Sequence, residues 1–462
     1  MDVETGEGLD DQMNYRMVDQ TGTRLDEKMD DQIDDRTDDR MDDHMWSNLP
    51  DTALIEIYLC LQDPERVNMS MTCKNWNRIF SSPCLWRTWY IELGGYNYIS
   101  TGERICKFAD GHGDHPKYLF LSYDHRRHHT CKIIQRTIDD FLDKIQNAKL
   151  VNFEFQNASF MFETLKENVV DSFARFFRGQ TNMVDFNMER SHLSLTSGCR
   201  ILHAIGSASG NTIRNLDIED FFDSMLAMFQ VKQFINALSK FTNLSFLALN
   251  YNCLSDDILE CLTQNLAGKL KHISCRVCRT DPHFHRISSY SWKSLKSVCP
   301  KLSIDFWFES IGLSADIIRV LVPEAPLHEI YIDTRFDHNA DWLQLSETID
   351  HIAKHHKQIT VLSVKLHNNH DSIDDSLVSM VTQCPALRVL FVRSVLKVST
   401  IDEICTLQTE HKIDLQTFHV TTCGLTEMEY AELIYVSAKH LSVMQERGLN
   451  FEIRAVLGRQ HL

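Results

Sequence analysis

The spacing Leu244-x-x-Leu247-x-Leu249-x-x-Asn252-x-Leu254 returns as Leu415-x-x-Phe418-x-Val420-x-x-Cys423-x-Leu425, with cysteine in the asparagine slot. Weaker copies begin at Leu150, Met183, Ile213, Leu270, Cys299, Leu327, Ile359 and Leu387, with successive starts 26 to 33 residues apart. Self-similarity at this period constrains the fold more than any other feature. Each unit is long enough for one strand and one helix, and neither buries its apolar side until a neighbouring unit stacks on it. Helix starts are visible between the strands. Ser255-Asp256-Asp257 precedes Ile258-Leu259-x-x-Leu262, Thr426-x-x-Glu429 is a capping box before Ala431-x-Leu433-Ile434, and Ser372 and Asp374 precede Leu377 in the same way. An ordinary doubly wound fold is the competing architecture, and the near-constant register without glycine-rich turns argues against it.

The pattern resembles the leucine-rich repeat. The expected fold class is therefore α/β, a solenoid with parallel strands on the concave side and helices on the convex side. Side chains alternate along a strand, so residues between the inward leucines reach the concave face. These are Asn152, Glu154 and Gln156, then Asp185, Asn187 and Glu189, then Asn215, Asp217 and Glu219. The first three rungs thus offer Glu154, Asp185, Glu189, Asp217 and Glu219 and no base, and a basic segment of a protein substrate is the expected ligand. A solvated face with chance charge is the competing explanation. Later rungs offer Phe246, Ala248 and Asn250; His272, Ser274 and Arg276; Glu329, Tyr331 and Asp333; Val361, Ser363 and Lys365; and Val389, Phe391 and Arg393.

A different pattern begins at Trp46. Pro50 suits the first turn of a helix, Leu54, Ile57 and Leu61 fall on one stripe, and Asp63-Pro64 opens a second helix carrying Val67 and Met71. Cys73-Lys74-x-Trp76 begins a third, and Pro83-x-Leu85-Trp86-Arg87 closes the unit. About 40 residues in three short helices cannot bury so many large apolar groups alone, and the surplus calls for a partner covering one face. These five spaced words resemble the F-box, with Thr52, Met69 and Met71 as small departures. The resemblance implies docking onto a Skp-type adaptor and, through it, a cullin ubiquitin ligase, with Leu49, Pro50, Leu54, Ile57, Leu61, Val67 and Trp76 as adaptor contacts and Leu85 and Trp86 closing the domain. An F-box followed by leucine-rich repeats resembles the substrate-recognition subunits of such ligases. A scaffold that assembles no cullin ligase is the alternative. A bundle simply buried against the rest of the chain would leave the surplus apolar face to chance.

The remaining segments are read by composition. Residues 1–45 hold 16 acidic and 5 basic residues of a chain of 462 with net charge −17, and repeat the tetrads Met29-Asp30-Asp31-Gln32 to Met41-Asp42-Asp43-His44. A disordered acidic tail is expected there, an acidic docking helix being the other possibility. Residues 46–92 are assigned to the F-box, 93–149 to a connector rich in glycine and histidine with a linking helix from Ile133, and 150–462 to the repeat array.

The negative charge argues against nucleic-acid binding. No apolar run suits a membrane span, and no basic-then-apolar leader precedes the tail, so a cytoplasmic or nuclear protein with its 14 cysteines reduced is expected. Cys275-x-x-Cys278 followed by His283-x-His285 has zinc-like elements, but the repeat pattern already explains both cysteines. Gly206-Ser207-Ala208-Ser209-Gly210 has alanine where a nucleophile elbow needs serine. With no metalloprotease, phosphate-loop or dinucleotide motif either, no catalytic residue, cofactor or metal site is expected.

Overall fold

The computed structural model describes residues 46–94, 98–124, 131–165, 167–334, 345–366 and 372–457. The acidic tetrads and His125, His128 and His129 lie outside them. The chain divides into two compact units, one ending at Arg87 and one running from Thr88 onward. Among the described residues no helix is long and apolar enough to cross a membrane.

The first unit is three short helices, Asp51–Leu59, Asp63–Ser70 and Lys74–Phe80, and a 3-10 turn at Pro83–Trp86. Proline stands early in the second helix and in the turn, where its missing N–H costs nothing. Gln62 and Glu65 form a reciprocal capping box that fixes the second helix start.

The second unit is built on one parallel sheet. Its strands are β1 (Thr88–Gly94), β2 (Tyr118–Asp124), β3 (Asn152–Gln156), β4 (Asp185–Asn187), β5 (Asn215–Ile218), β6 (Phe246–Asn250), β7 (His272–Cys278), β8 (Ser303–Glu309), β9 (Leu327–Asp333), β10 (Val361–Lys365), β11 (Val389–Ser394), β12 (Thr417–Leu425) and β13 (Asn450–Leu457). They lie in sequence order, each parallel to the next, and helices occupy the connections. The expected leucine-rich-repeat class is what the structure shows.

Its extent differs from expectation. Residues 93–149 are not a connector, because β1 and β2 pair in register with β3 and the helices Tyr98–His112 and Cys131–Lys144 pack beside them. The F-box segment likewise ends before residue 92, since β1 takes Thr88 onward into the sheet. The cause is composition. Trp89, Leu93, Leu119, Leu121 and Tyr123 supply the inward positions, so an aromatic alternation replaces the leucine spacing, and the intervening glycines read as loop punctuation.

Alternation explains the core. Inward residues such as Phe153, Phe155, Phe186, Leu216, Leu247 and Leu249 are buried under the helices, while their neighbours face the helix-free side. Phe153, Phe173, Phe177 and Phe186 interlock with ring centroids 4.9 to 6.2 Å apart. Ser255 accepts from the Ile258 N–H at 3.2 Å, and Thr426 and Glu429 form the expected capping box. Asp374 departs from its expected capping role. It is buried, and reaches the next repeat instead, accepting from the Lys397 N–H at 3.0 Å and the Thr400 hydroxyl at 2.6 Å. Asp256 does the same through the Ser288 N–H at 2.8 Å, so helix starts pin neighbouring repeats together.

Candidate docking and recognition surfaces

In the first unit the inward face of the leading helix is Leu54 and Tyr58, one turn apart, rather than the expected Leu54, Ile57 and Leu61. Tyr58 donates its hydroxyl to the Trp76 carbonyl at 3.0 Å and its ring lies 5.6 Å from that of Trp76. Trp76 Nε1 donates to the Trp46 carbonyl at 3.1 Å, Trp86 Nε1 to that of Phe80 at 2.5 Å, and Asn75 to those of Ser47 and Leu49. Arg66 lies over the Trp86 ring while donating to the Tyr58 carbonyl at 3.0 Å.

Leu54, Trp76, Leu85 and Trp86 are consequently core residues, each at most 5% exposed. A side chain consumed by its own unit offers little surface, and Leu54 and Trp76, expected as adaptor contacts, lie in the core of the unit. Leu49, Ile57 and Leu61 are half-buried, and Pro50 and Val67 are exposed. Sequence patterning passed over Leu59 and named Trp46 and Met71 without assigning them to the docking surface; the three stand 49%, 62% and 66% exposed beside Val67 at 46%. Only a count of what three short helices are able to cover would have found them.

On the repeat sheet, register places Glu154, Asn187 and Asp217 in one row across β3, β4 and β5. Asp185 lies two residues earlier on β4, opposite Asn215, from whose amide it accepts. Glu189 and Glu219 lie just past β4 and β5, and their N–H groups are held by Asn187 at 2.8 Å and Asp217 at 3.1 Å. Burial, and then the neighbouring Glu189, Glu219 and Glu154 carboxylates, push Asp217 up to about 7. Glu219 is raised by burial as well, with Arg276 opposing.

Arg276 changes the electrostatics expected of this face. From β7 its guanidinium binds Glu219 at 2.9 Å and Asp220 at 2.6 Å, and it also pairs with Glu309. Asn250 continues the network, donating to Asp220 at 2.7 Å and Asp281 at 2.8 Å. A cleft of about 400 Å³ opens here, lined by Arg190, His192, Asp220, Arg276, Asp281 and Glu309 among others. Part of the acidic surface thus carries its own counter-ion, whereas Glu154, Asp185, Glu189 and Asp217 have no ion-pair partner among the described residues.

The zinc-like spacing does not converge. Cys275 faces the core, Cys278 the opposite side, and burial pushes both thiols up. His285 lies between the rings of Phe229 and Tyr251, with centroids 3.9 and 4.6 Å away, and bonds the Leu254 carbonyl. Among the described residues these four form no common ligand group.

Residues 46–88 match the F-box domain. The chain is also similar to F-box/LRR-repeat protein 21, being 23% identical over 277 residues to the Mus musculus protein, 22% over 273 to that of Bos taurus and 24% over 280 to that of Ovis aries. Each match covers 57% of this chain and 59% of the relative, so the chain spans less than two thirds of those proteins. An F-box domain leading into a leucine-rich-repeat sheet is the class that fold and comparisons together define.

Proposed function

We propose that this protein is the substrate-recognition subunit of a Skp–cullin–F-box E3 ubiquitin ligase. The F-box domain match is the observation that carries the proposal, and the uncovered Trp46, Val67 and Met71 support it. Several large apolar groups left in water on so small a unit suit a face that another molecule covers. The docking surface is Leu49, Pro50, Ile57, Leu61 and Val67, extended by Trp46 and Met71, over the core of Leu54, Trp76, Leu85 and Trp86. The helix-free face of the first repeats, through Glu154, Asp185, Glu189, Asp217 and Glu219, holds a basic segment of the substrate.

The role is non-catalytic, with ubiquitin transferred by a separate conjugating enzyme that the ligase brings near the substrate. Reduced thiols suit the cytosol or nucleus. The words Asn250-Tyr251-Asn252-Cys253-x-Ser255-Asp256, Asp217-Ile218-Glu219-Asp220, Asp281-Pro282-His283 and Asn368-Asn369-His370 resemble the F-box only protein 39 type.

The test is co-purification with the Skp-type adaptor and a cullin. Leu49→Ala with Pro50→Ala, and separately Val67→Asp with Met71→Asp, should reduce adaptor recovery at least about tenfold. The second pair is the cleaner probe, since the Leu49 carbonyl also holds Asn75. Unchanged recovery in both removes the ligase proposal, and adaptor without cullin selects the scaffold alternative.

A further inference from the structure

An incompletely satisfied polar cluster on the repeat sheet lies away from the acidic rungs. Between β8 and β9 the register shifts by one residue, so that Ile304 pairs with Leu327 but Asp305 with Glu329. Such an irregularity re-aims side chains. Here it brings His328 and Glu329, adjacent in sequence, to the same aspartate. Asp305 is only 8% exposed. Its Oδ2 is held by His272 Nε2 at 3.0 Å, and its buried Oδ1 has no hydrogen-bond partner. His328 Nδ1 is buried without a hydrogen-bond partner too, 3.5 Å from that oxygen and 3.4 Å from Glu329 Oε1.

The surrounding hydrogen bonds decide what those atoms are. The Thr360 hydroxyl donates to the His328 carbonyl at 3.1 Å and lies 3.2 Å from His328 Nε2. Its proton being used, Nε2 is the nitrogen that donates to it, and the neutral imidazole then carries its lone pair on Nδ1. Tyr331 donates to Glu329 Oε2 at 2.6 Å, fixing that carboxylate with Oε1 turned toward the histidine. Ser303 Oγ lies 2.9 Å from His272 Nδ1 and steadies the ring that holds Asp305. Three acceptors therefore face one another, each oriented by an outer hydrogen bond, with no donor among them.

We propose that Asp305 Oδ1, His328 Nδ1 and Glu329 Oε1 are the ligands of a divalent transition-metal ion of the zinc type. The separations of 3.4 and 3.5 Å are longer than an ordinary hydrogen bond, and neither Asp305 Oδ1 nor His328 Nδ1 has a hydrogen-bond partner. They match the roughly 3.4 Å between donors around a tetrahedral ion with bonds of about 2.0–2.2 Å. Imidazole with carboxylates suits such an ion, and Thr360, Tyr331 and His272 supply the outer hydrogen bonds that metal ligands require. The other group of compatible residues, Asp220, Cys278 and Asp281, has Arg276 as its cation. Three protein ligands leave a fourth position for water or a side chain of a bound partner.

The full-length protein, stripped with chelator and titrated with Zn²⁺ alone, should bind one ion at this site. Affinity should fall at least about 100-fold in Asp305→Asn and His328→Gln, and about 10-fold in Thr360→Val, which touches only an outer hydrogen bond. Thr360→Val alters no ligand and no charge, so it keeps the test readable if a ligand variant fails to fold. Co²⁺ in place of Zn²⁺ should give the visible bands of a tetrahedral nitrogen–oxygen set without thiolate charge transfer. No uptake at micromolar Zn²⁺, equal uptake by wild type and all three variants, or a thiolate charge-transfer band would each overturn the proposal.

Discussion

The F-box unit and the repeat sheet solve one problem in opposite ways. In the F-box unit Tyr58, Trp76 and Trp86 turn inward, and Trp46, Leu59, Val67 and Met71 remain in water because three short helices have too little interior. In the sheet each repeat is covered by the next, so aromatic rings as large as Phe153 and Trp292 are fully buried, and the helix-free face is left mainly to polar and charged groups. The small unit thus keeps a large share of its apolar side chains in water, and the long one sets carboxylates on its helix-free face. Size makes the difference.

The largest effect expected from a single change is in the small core. Trp76→Ala should cost about 3–5 kcal/mol, enough to unfold a unit this small, and circular dichroism with adaptor capture would register the loss. Phe153→Ala should cost a similar amount in the sheet, read by denaturant unfolding, yet leave a folded array because neighbouring repeats share the load. A Phe153→Ala cost below about 1 kcal/mol would break the comparison.

Charge on the helix-free face sharpens it further. Asp217 has a folded pKa raised to about 7 from an ordinary 3.8, so the folded state holds the proton more tightly than the unfolded chain. Its stabilising contribution is complete below about pH 4 and is lost as pH rises through 7. Asp217→Asn should therefore be more stable than wild type at pH 8, by up to about 4 kcal/mol, with the gap closing toward pH 4 in thermal melts at both ends. Wild type should also bind a lysine-rich peptide more weakly as pH falls through 7. A gap independent of pH would show that Asp217 is solvated like any surface carboxylate.

The smallest effect is at the cap of the last long helix. Thr426→Ala removes one side of the capping box and should cost about 1 kcal/mol, read as faster hydrogen exchange in the first turn of Glu427–Glu446.

Where the leucine spacing was regular, repeat, strand face and helix start were all legible, as at Leu244 and Thr426. The spacing failed where other apolar residues did the same work. Trp89 hid one strand at the end of the assigned F-box, Leu119 and Leu121 hid another inside a supposed connector, and the rung after Cys299 yielded no open-face residues although it carries Asp305 and Trp307. In the F-box words the motif was readable, but not which members face out. Tyr58, absent from the expected stripe, took the inward place because its hydroxyl reaches the Trp76 carbonyl.

The sequence by itself determined the period of the array, the existence of a helical unit with more apolar surface than it can hide, and the acidity of the first rungs, because each follows from residue type and spacing along the chain. Only the tertiary structure decided that Leu54 and Trp76 are core, that Arg276 from β7 reaches Glu219 and Asp220, and that a shifted register turns His328 and Glu329 toward Asp305. Those outcomes depend on which strands lie side by side and where their registers slip, and pairing between residues dozens of positions apart leaves no local mark in the chain.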